Sequence, residues 1–135
     1  MKYFLAKTDP DTYNIDDLAK EKKTTWNGIK NPQAVKALKA MKKGDKVLIY
    51  HSQGQGAIVG LAEMIGNSRM DLNEVKSWLV DFKFIKKFDE PFVTLKDIKQ
   101  SNLFNDFILV RQGRLSTMEV PEKFISWLKK QGLKI

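Results

Sequence analysis

The 135-residue sequence contains no cysteine and a single histidine, His51. Without cysteine there is neither a disulfide framework nor a thiolate zinc site, and a lone histidine cannot supply a histidine pair for a metal. We therefore expect no metal and no cofactor. The lack of disulfides fits a reducing compartment, so we expect a cytoplasmic protein, or a nuclear one if its source is eukaryotic.

Long hydrophobic runs are also missing. A helix that crosses a bilayer needs about 20 consecutive apolar residues, and charged residues interrupt each apolar segment of this sequence. The apolar stretch within residues 1–7 is too short for the core of a signal peptide. The sequence therefore predicts a protein without a membrane partner and without a secretion signal.

Positive charge, by contrast, is in excess. Lys and Arg number 24 against 16 Asp and Glu, a net charge of +8 that attracts polyanions such as nucleic acid. The alternative is that lysine only keeps the surface soluble. The length and the 42% hydrophobic content suit one domain, residues 1–135, which we expect to be a monomer.

Apolar periodicity and capping residues predict an α+β domain. Helices are expected where a cap or proline precedes an apolar stripe, and strands where apolar residues alternate or run together. The predicted helices follow Asn14, Asn31-Pro32 (ending at Gly44), Thr94 and Pro121. The predicted strands are Lys2–Lys7, Val47–Ser52, Ala57–Ile65 and Trp78–Phe84, with extended backbone at Thr24–Trp26 and either strand or helical turn at Phe107–Val110.

The uneven spacing of these strands favours a small curled sheet or barrel flanked by helices over a doubly wound nucleotide-binding fold. The run Gln53-Gly54-Gln55-Gly56 joins two strands. It lacks the helix and lysine of a phosphate-binding loop, so it is interpreted as the tip of a hairpin.

Two clusters carry polar and aromatic residues that a core alone does not need. One is Trp26-Asn27-Gly28 with Lys30 and Asn31, and the other is Tyr50-His51-Ser52 at a strand end. A base held outside its stack needs flat apolar surfaces, here Trp26 and Tyr50, and polar groups at its rim, here Asn31 and Ser52. Alternatively, the rings pack in the core, Asn27-Gly28 forms a turn and Asn31 caps a helix.

Two of the three arginines, Arg111 and Arg114, flank a glycine in Arg111-Gln112-Gly113-Arg114. Guanidinium groups on such a loop are suited to phosphates. Alternatively, the pair ties the loop to carboxylates such as Asp106 or Glu119.

An enzyme would need His51 as acid or base, with Ser52 or Glu63 as its partner. Adjacent residues on a strand point to opposite faces, and no nucleophile elbow or triad spacing is present. We therefore predict no catalytic residue and a protein that is not an enzyme.

Five blocks, which keep their order along most of the chain, carry a resemblance. They are KTDPDTYNIDDL at 7–18, TTWNGIKNPQA at 24–34, MKKGDKVLIYHS at 41–52, AIVGLAE at 57–63 and RQGRLSTM at 111–118. In these blocks the sequence resembles the EVE domain family. The resemblance implies a PUA-like fold, a small mixed β-barrel flanked by helices, related to the YTH and ASCH domains.

The resemblance also implies recognition of a modified base in DNA or RNA, with modified cytosine favoured and the base inserted beside the barrel. The implied partners are DNA or RNA carrying that base, and a nuclease of a restriction system. Alternatives are a binder of structured RNA without modification specificity, and an ASCH-like hydrolase of nucleosides or RNA. The predicted base pocket is Trp26, Asn27, Gly28, Asn31, Tyr50, His51 and Ser52, and the predicted phosphate contacts are Lys7, Lys30, Arg111, Arg114 and Ser116.

Three positions depart from the family's usual pattern. Asn27 stands where aspartate is usual, Lys30 where arginine is usual, and Glu119 where proline often follows the methionine. An amide in place of a carboxylate changes which base edge is preferred. The base specificity of other members therefore does not transfer automatically to this chain.

Overall fold

A computed structural model describes residues 1–54 and 56–135. That part of the chain forms eight strands and five helices. The strands are β1 (Tyr3–Thr8), β2 (Lys23–Ile29), β3 (Lys46–His51), β4 (Ala57–Met64), β5 (Arg69–Met70), β6 (Trp78–Lys87), β7 (Val93–Thr94) and β8 (Thr117–Val120). The helices are α1 (Ile15–Glu21), α2 (Pro32–Ala40), α3 (Leu95–Gln100), α4 (Ile108–Arg111) and α5 (Glu122–Lys130).

The strands form one mixed sheet in the order β2-β6-β4-β3-β1-β8, with β5 paired to β6 and β7 paired to β4. β1 pairs with β3 in parallel, and the other pairs are antiparallel. The sheet curls into a half-barrel flanked by helices, so the predicted α+β class is confirmed. Helix α2 contacts both β6 and β8, which lie far apart in the strand order, and so it spans the opening of the half-barrel.

Local polar contacts begin the helices where the sequence predicted. Asn14 and Thr94 each form a capping box with an aspartate three residues later, which satisfies backbone N–H groups at the helix start. The Asn31 side chain accepts hydrogen bonds from the N–H groups of Gln33 and Ala34, directly before Pro32. Asn31 therefore has the capping role that was its structural alternative.

Other boundaries differ from the prediction. Helix α2 ends at Ala40, before Gly44, because the buried Asp45 carboxylate accepts the N–H of Lys42 at 2.9 Å and holds a turn. Strand β8 was not predicted, since three of its four residues are buried and no alternation is visible. Residues 107–110 lie largely in α4. The predicted hairpin tip includes Gln55, which lies outside the described residues.

No helix in residues 1–54 and 56–135 is both long and apolar enough to cross a membrane.

Gly60 of β4 allows α1 to pack closely on the sheet. A Cβ atom at this position would lie 2.3 Å from Cδ1 of Ile15 and 2.9 Å from the backbone oxygen of Lys86. Ile15 begins α1 and is 2% exposed, so it has little room to move. The missing side chain at Gly60 therefore sets how near α1 lies to β4 and β6.

We predict that Gly60→Ala destabilises the protein by about 1–3 kcal/mol, the usual cost of overpacking a well-packed core. Gly66→Ala is the matched control, because a Cβ at Gly66 meets nothing within 4 Å. Urea unfolding of both variants measures the difference. Equal stability of the two variants would show that the close approach at Gly60 carries no energy.

Candidate functional site

An open pocket of about 400 Å³ lies where three distant segments of the chain meet. It is lined by Lys7, Thr8, Asp9, Thr12, Tyr13, Thr24, Thr25, Trp26, Asn27, Ile29 and Ser116. β2 and the β1–β8 pair lie at opposite ends of the strand order, so the curl of the sheet brings them together. The Lys7 N–H also donates to the Ser116 carbonyl oxygen at 2.8 Å, which fixes two of the segments to each other.

Trp26 supplies the larger aromatic wall of the pocket. Its half-buried ring lies 5.7 Å from the ring of Phe82, centroid to centroid. The indole Nε1–H is buried and has no acceptor among the described residues. Buried donors in proteins are nearly always paired, so this unpaired donor on a residue of the pocket wall is an exception.

Tyr13 is the second aromatic residue of the pocket, and it was not predicted as a site residue. Its hydroxyl donates to Oε1 of Glu21 at 2.5 Å. Burial, together with the Glu21 carboxylate, raises the pKa of Tyr13 to about 12, so the hydroxyl stays protonated at neutral pH. Tyr13 lies inside the block at residues 7–18 that carries the family resemblance, which was the available signal for it.

Charge of both signs lies at the pocket wall. The ammonium group of Lys7 donates to the Gly113 carbonyl oxygen at 3.0 Å, and burial lowers the pKa of Lys7 from its ordinary value. The Asp9 carboxylate accepts from the Asp11 N–H at 2.9 Å and from the Gln53 amide at 3.0 Å. The cation is therefore next to the loop that precedes β8, and the carboxylate belongs to the loop that follows β1.

Asn27 and Gly28 form a bulge at the pocket. The register of β2 on β6 shifts between Trp26 and Ile29, and Gly28 has a φ of 73°, a conformation that favours glycine. Asn27 is exposed and lines the pocket. The sequence offered a turn at Asn27-Gly28 as the structural alternative, and the observed bulge resembles it. The bulge places Asn27 at the pocket.

Tyr50 does not line the pocket. Its side chain is 3% exposed, and its hydroxyl occupies the space that a Cβ of Gly56 would need, at 2.0 Å. The Lys7 ammonium lies 5.6 Å from the centroid of the Tyr50 ring. Tyr50 therefore packs behind Lys7 and offers no open face to a base, which departs from its expected role as a stacking surface.

His51 and Ser52 also lie outside the pocket lining. Nε2 of His51 accepts the N–H of Ile15 at 3.1 Å. The N–H and the hydroxyl of Ser52 both donate to the Thr8 carbonyl oxygen, at 2.9 and 3.3 Å. These bonds hold the start and the end of the 8–15 segment, which forms one wall of the pocket.

The remaining predicted residues divide into two groups. Asn31 caps α2, and Lys30 pairs with Glu74 at 2.5 Å. Arg111 and Arg114 are exposed, and neither forms an ion pair within residues 1–54 and 56–135, so the predicted alternative of a tie to Asp106 or Glu119 is not observed. Among residues 111–116, Ser116 lines the pocket.

The family model described as the EVE domain matches residues 2–131 of the chain. The chain belongs to the EVE domain family. Thymocyte nuclear protein 1 of Rattus norvegicus is 30% identical to this EVE domain over 118 residues, which cover 78% of the chain and 52% of the relative. The EVE domain thus spans about half the length of the curated relatives that it matches.

Solved structures agree with this EVE domain over nearly its whole length. A protein from Agrobacterium tumefaciens is 31% identical with a TM-score of 0.87, and the match covers 98% of this chain and 94% of that one. The human THYN1 protein, solved in complex with DNA containing 5-methylcytosine, is 20% identical with a TM-score of 0.87, over 100% and 99% of the two chains. The predicted family and its PUA-like fold are confirmed.

We predict that His51 makes the stability of this EVE domain fall as pH drops through the mildly acidic range. Burial lowers the pKa of His51, outweighing the nearby Asp16 carboxylate, which raises it. The unfolded chain then binds a proton more readily than the native one. The contribution is complete above the ordinary histidine pKa of about 6.5 and is lost as pH falls toward the lower native value.

The matched variant is His51→Gln, whose side-chain oxygen can accept the Ile15 N–H but does not titrate in this range. Unfolding free energies at pH 7.5 and pH 5.5 measure the effect, and the variant should lose less stability between them than the wild type. The same loss in both proteins would mean that His51 is not held neutral.

Proposed function

We propose that this EVE domain binds nucleic acid without catalysis, by taking one base into the pocket formed by Trp26 and Tyr13, with modified cytosine as the preferred base. The observation that supports this most directly is the buried Nε1–H of Trp26, which has no protein acceptor in the described part of the chain and belongs to a residue of the pocket wall. The N–H lies in the plane of the ring, so a sugar or phosphate oxygen of the bound nucleotide, beside the edge of the ring, supplies that acceptor while the base stacks on the face.

The size of the pocket and its two aromatic residues support the binding of a base. Its volume of about 400 Å³ lies within the range of small-ligand sites. Stacking of a base on an aromatic side chain contributes about 1–3 kcal/mol and does not depend on which base is present. Trp26 and Tyr13 therefore supply affinity, and the polar groups must supply the choice between bases.

Asn27 is the group suited to that choice. Its amide offers both a donor and an acceptor, whereas the aspartate usual in the family only accepts. Cytosine presents an amino donor beside ring acceptors, a pattern that one amide can match. The hydroxyl of Ser116, at the opposite side of the pocket, adds a group that can donate or accept.

Modified cytosine is favoured because the family resemblance implies it and because human THYN1, which shares the fold, was solved with DNA containing 5-methylcytosine. The size of the preference follows from the chemistry. Burying one methyl group contributes about 0.8 kcal/mol, which is roughly a fourfold difference in affinity. A larger preference would require a polar contact that distinguishes the modified base.

Contacts to the phosphates are assigned to Lys7, Arg111 and Arg114. Both arginines are exposed: Arg111 is the last residue of α4, and Arg114 lies in the loop from α4 to β8, which reaches the pocket at Ser116. Forked guanidinium groups bind phosphate oxygens in pairs, and such contacts fix orientation without reading sequence. The net charge of +8 adds attraction over longer distances.

The absence of catalysis in this proposal is supported by how the candidate acid and base are used. Nε2 of His51 accepts a backbone N–H, and the Ser52 hydroxyl donates to a backbone carbonyl. Glu63, the other candidate partner, pairs with Lys46 and Lys83. Each group weighed for catalysis thus has a structural partner.

We predict that Trp26→Ala weakens binding to a 5-methylcytosine oligonucleotide by about 5-fold to 150-fold, the equivalent of losing one stacked base. Trp26→Phe should weaken it less, because it keeps a ring and loses the N–H. Trp127→Phe is the matched control, since Trp127 packs against Phe104 and Phe124 and does not line the pocket. Fluorescence anisotropy at one fixed salt concentration measures all four proteins.

The same titrations with unmodified cytosine, adenine and methylated adenine test the choice of base. Unchanged affinity in Trp26→Ala, with the fold verified by circular dichroism, would refute the pocket. Equal affinity for all bases, with steep loss on adding salt, would instead identify a binder of phosphate backbone without modification specificity.

A further inference from the structure

A second depression, of about 550 Å³, lies between the end of α2 and the start of β6. We call it the lysine cleft. The side chains important here are Lys39, Lys42, Lys43, Asn67, Ser68 and Trp78. Among the described residues that line it there is no carboxylate.

The cations of the lysine cleft have no anionic partner within residues 1–54 and 56–135. The ion pairs of that part of the chain involve Lys2, Lys30, Lys46, Arg69, Lys83 and Lys87. Lys39, Lys42 and Lys43 are all exposed, and the Lys39 ammonium lies 4.6 Å from the ring centroid of Trp78. Three unneutralised cations therefore share one cleft with several hydrogen-bonding groups.

The lysine cleft and the base pocket are lined by neighbouring residues of two paired strands. Trp78 of the cleft pairs in register with Ile29 of the pocket. Partner Cα atoms in an antiparallel pair lie about 4.5–5.5 Å apart. One residue of the cleft and one of the pocket are therefore direct neighbours across the β2–β6 pair.

We propose that the lysine cleft binds the sugar-phosphate strand that continues from the base held in the pocket. The inference rests on the proposed function, and it adds the direction in which the strand leaves. The ammonium groups of Lys39, Lys42 and Lys43 contact successive phosphates, and the side chains of Asn67 and Ser68 donate to phosphate or sugar oxygens. These contacts raise affinity for any sequence and leave the choice of base to the pocket.

The test compares two triple variants that each remove three positive charges. The first is Lys39→Gln, Lys42→Gln, Lys43→Gln. The control is Lys123→Gln, Lys129→Gln, Lys130→Gln, whose lysines are also exposed and lie on α5. The control is closely matched, because Lys123 lies over the Phe104 ring at 5.7 Å much as Lys39 lies over Trp78.

The measurement is the dependence of binding on salt, with an oligonucleotide of about 12 nucleotides that carries one 5-methylcytosine. Each phosphate contact contributes about 0.7 to the slope of log K against log salt for a single strand and about 0.9 for a duplex. The cleft variant should therefore have a slope smaller by about two to three, and the control by less than one. The affinity ratio between modified and unmodified oligonucleotides should be unchanged in the cleft variant.

Equal slopes of log K against log salt in the two triple variants would overturn the proposed role of the lysine cleft. If binding still depended on Trp26 in that case, the proposed pocket would stand. A wild-type protein that bound none of the oligonucleotides would overturn both proposals. A cleft variant with an altered ratio between modified and unmodified bases would also contradict the inference, because it assigns no base contact to the cleft.

Discussion

Strands β1 and β3 run parallel, so their carboxyl ends lie at the same edge of the sheet. Lys7 and Thr8 are there paired with Tyr50 and His51. The segment that follows β1 therefore lies beside the residues at the end of β3, and hydrogen bonds join the two. His51 holds the start of α1, while Ser52 and Gln53 hold the backbone of Thr8 and the side chain of Asp9. One wall of the pocket depends on this parallel pairing.

The other wall depends on the curl of the sheet. Trp26 belongs to β2, at the far end of the strand order from the β1–β8 pair, so a flat sheet would separate it from Lys7 and Ser116. Helix α2 spans the opening between β6 and β8, and α1 lies close on β4 because Gly60 has no side chain. Both helices thus pack against the curled sheet that brings the two walls together.

Much of the fold was predictable, because capping residues and apolar runs are local signals. Asn14, Asn31 and Thr94 each begin a helix as predicted. Strand β8 was missed because three of its four residues are buried and it has no alternation to detect. The confirmed family came from the resemblance of several blocks of sequence, whereas the residues alone indicated only an α+β domain with a curled sheet.

The candidate site was predictable in part. Trp26 and Asn27 were predicted for the base pocket and Lys7 and Ser116 for phosphate contacts, and all four line the pocket. Tyr50 and His51 were expected to face a base. The Tyr50 hydroxyl instead packs beside Gly56, and His51 accepts the Ile15 N–H. The sequence does not show which side of a strand end other parts of the chain cover. Tyr13 was missed because its segment reads as a turn. The loop after β1 lines the pocket, whereas His51 and Ser52 bind that loop and do not line the pocket themselves.

The proposed function requires that the Trp26 indole N–H donates to the bound nucleotide. The chain has three tryptophans, so a ¹⁵N–¹H spectrum of the protein contains three indole signals. Each signal belongs to one tryptophan and can be followed separately. On titration with an oligonucleotide containing 5-methylcytosine, the account predicts a large downfield proton shift for Trp26 and none for Trp127. Binding that leaves the Trp26 indole signal unmoved would contradict it.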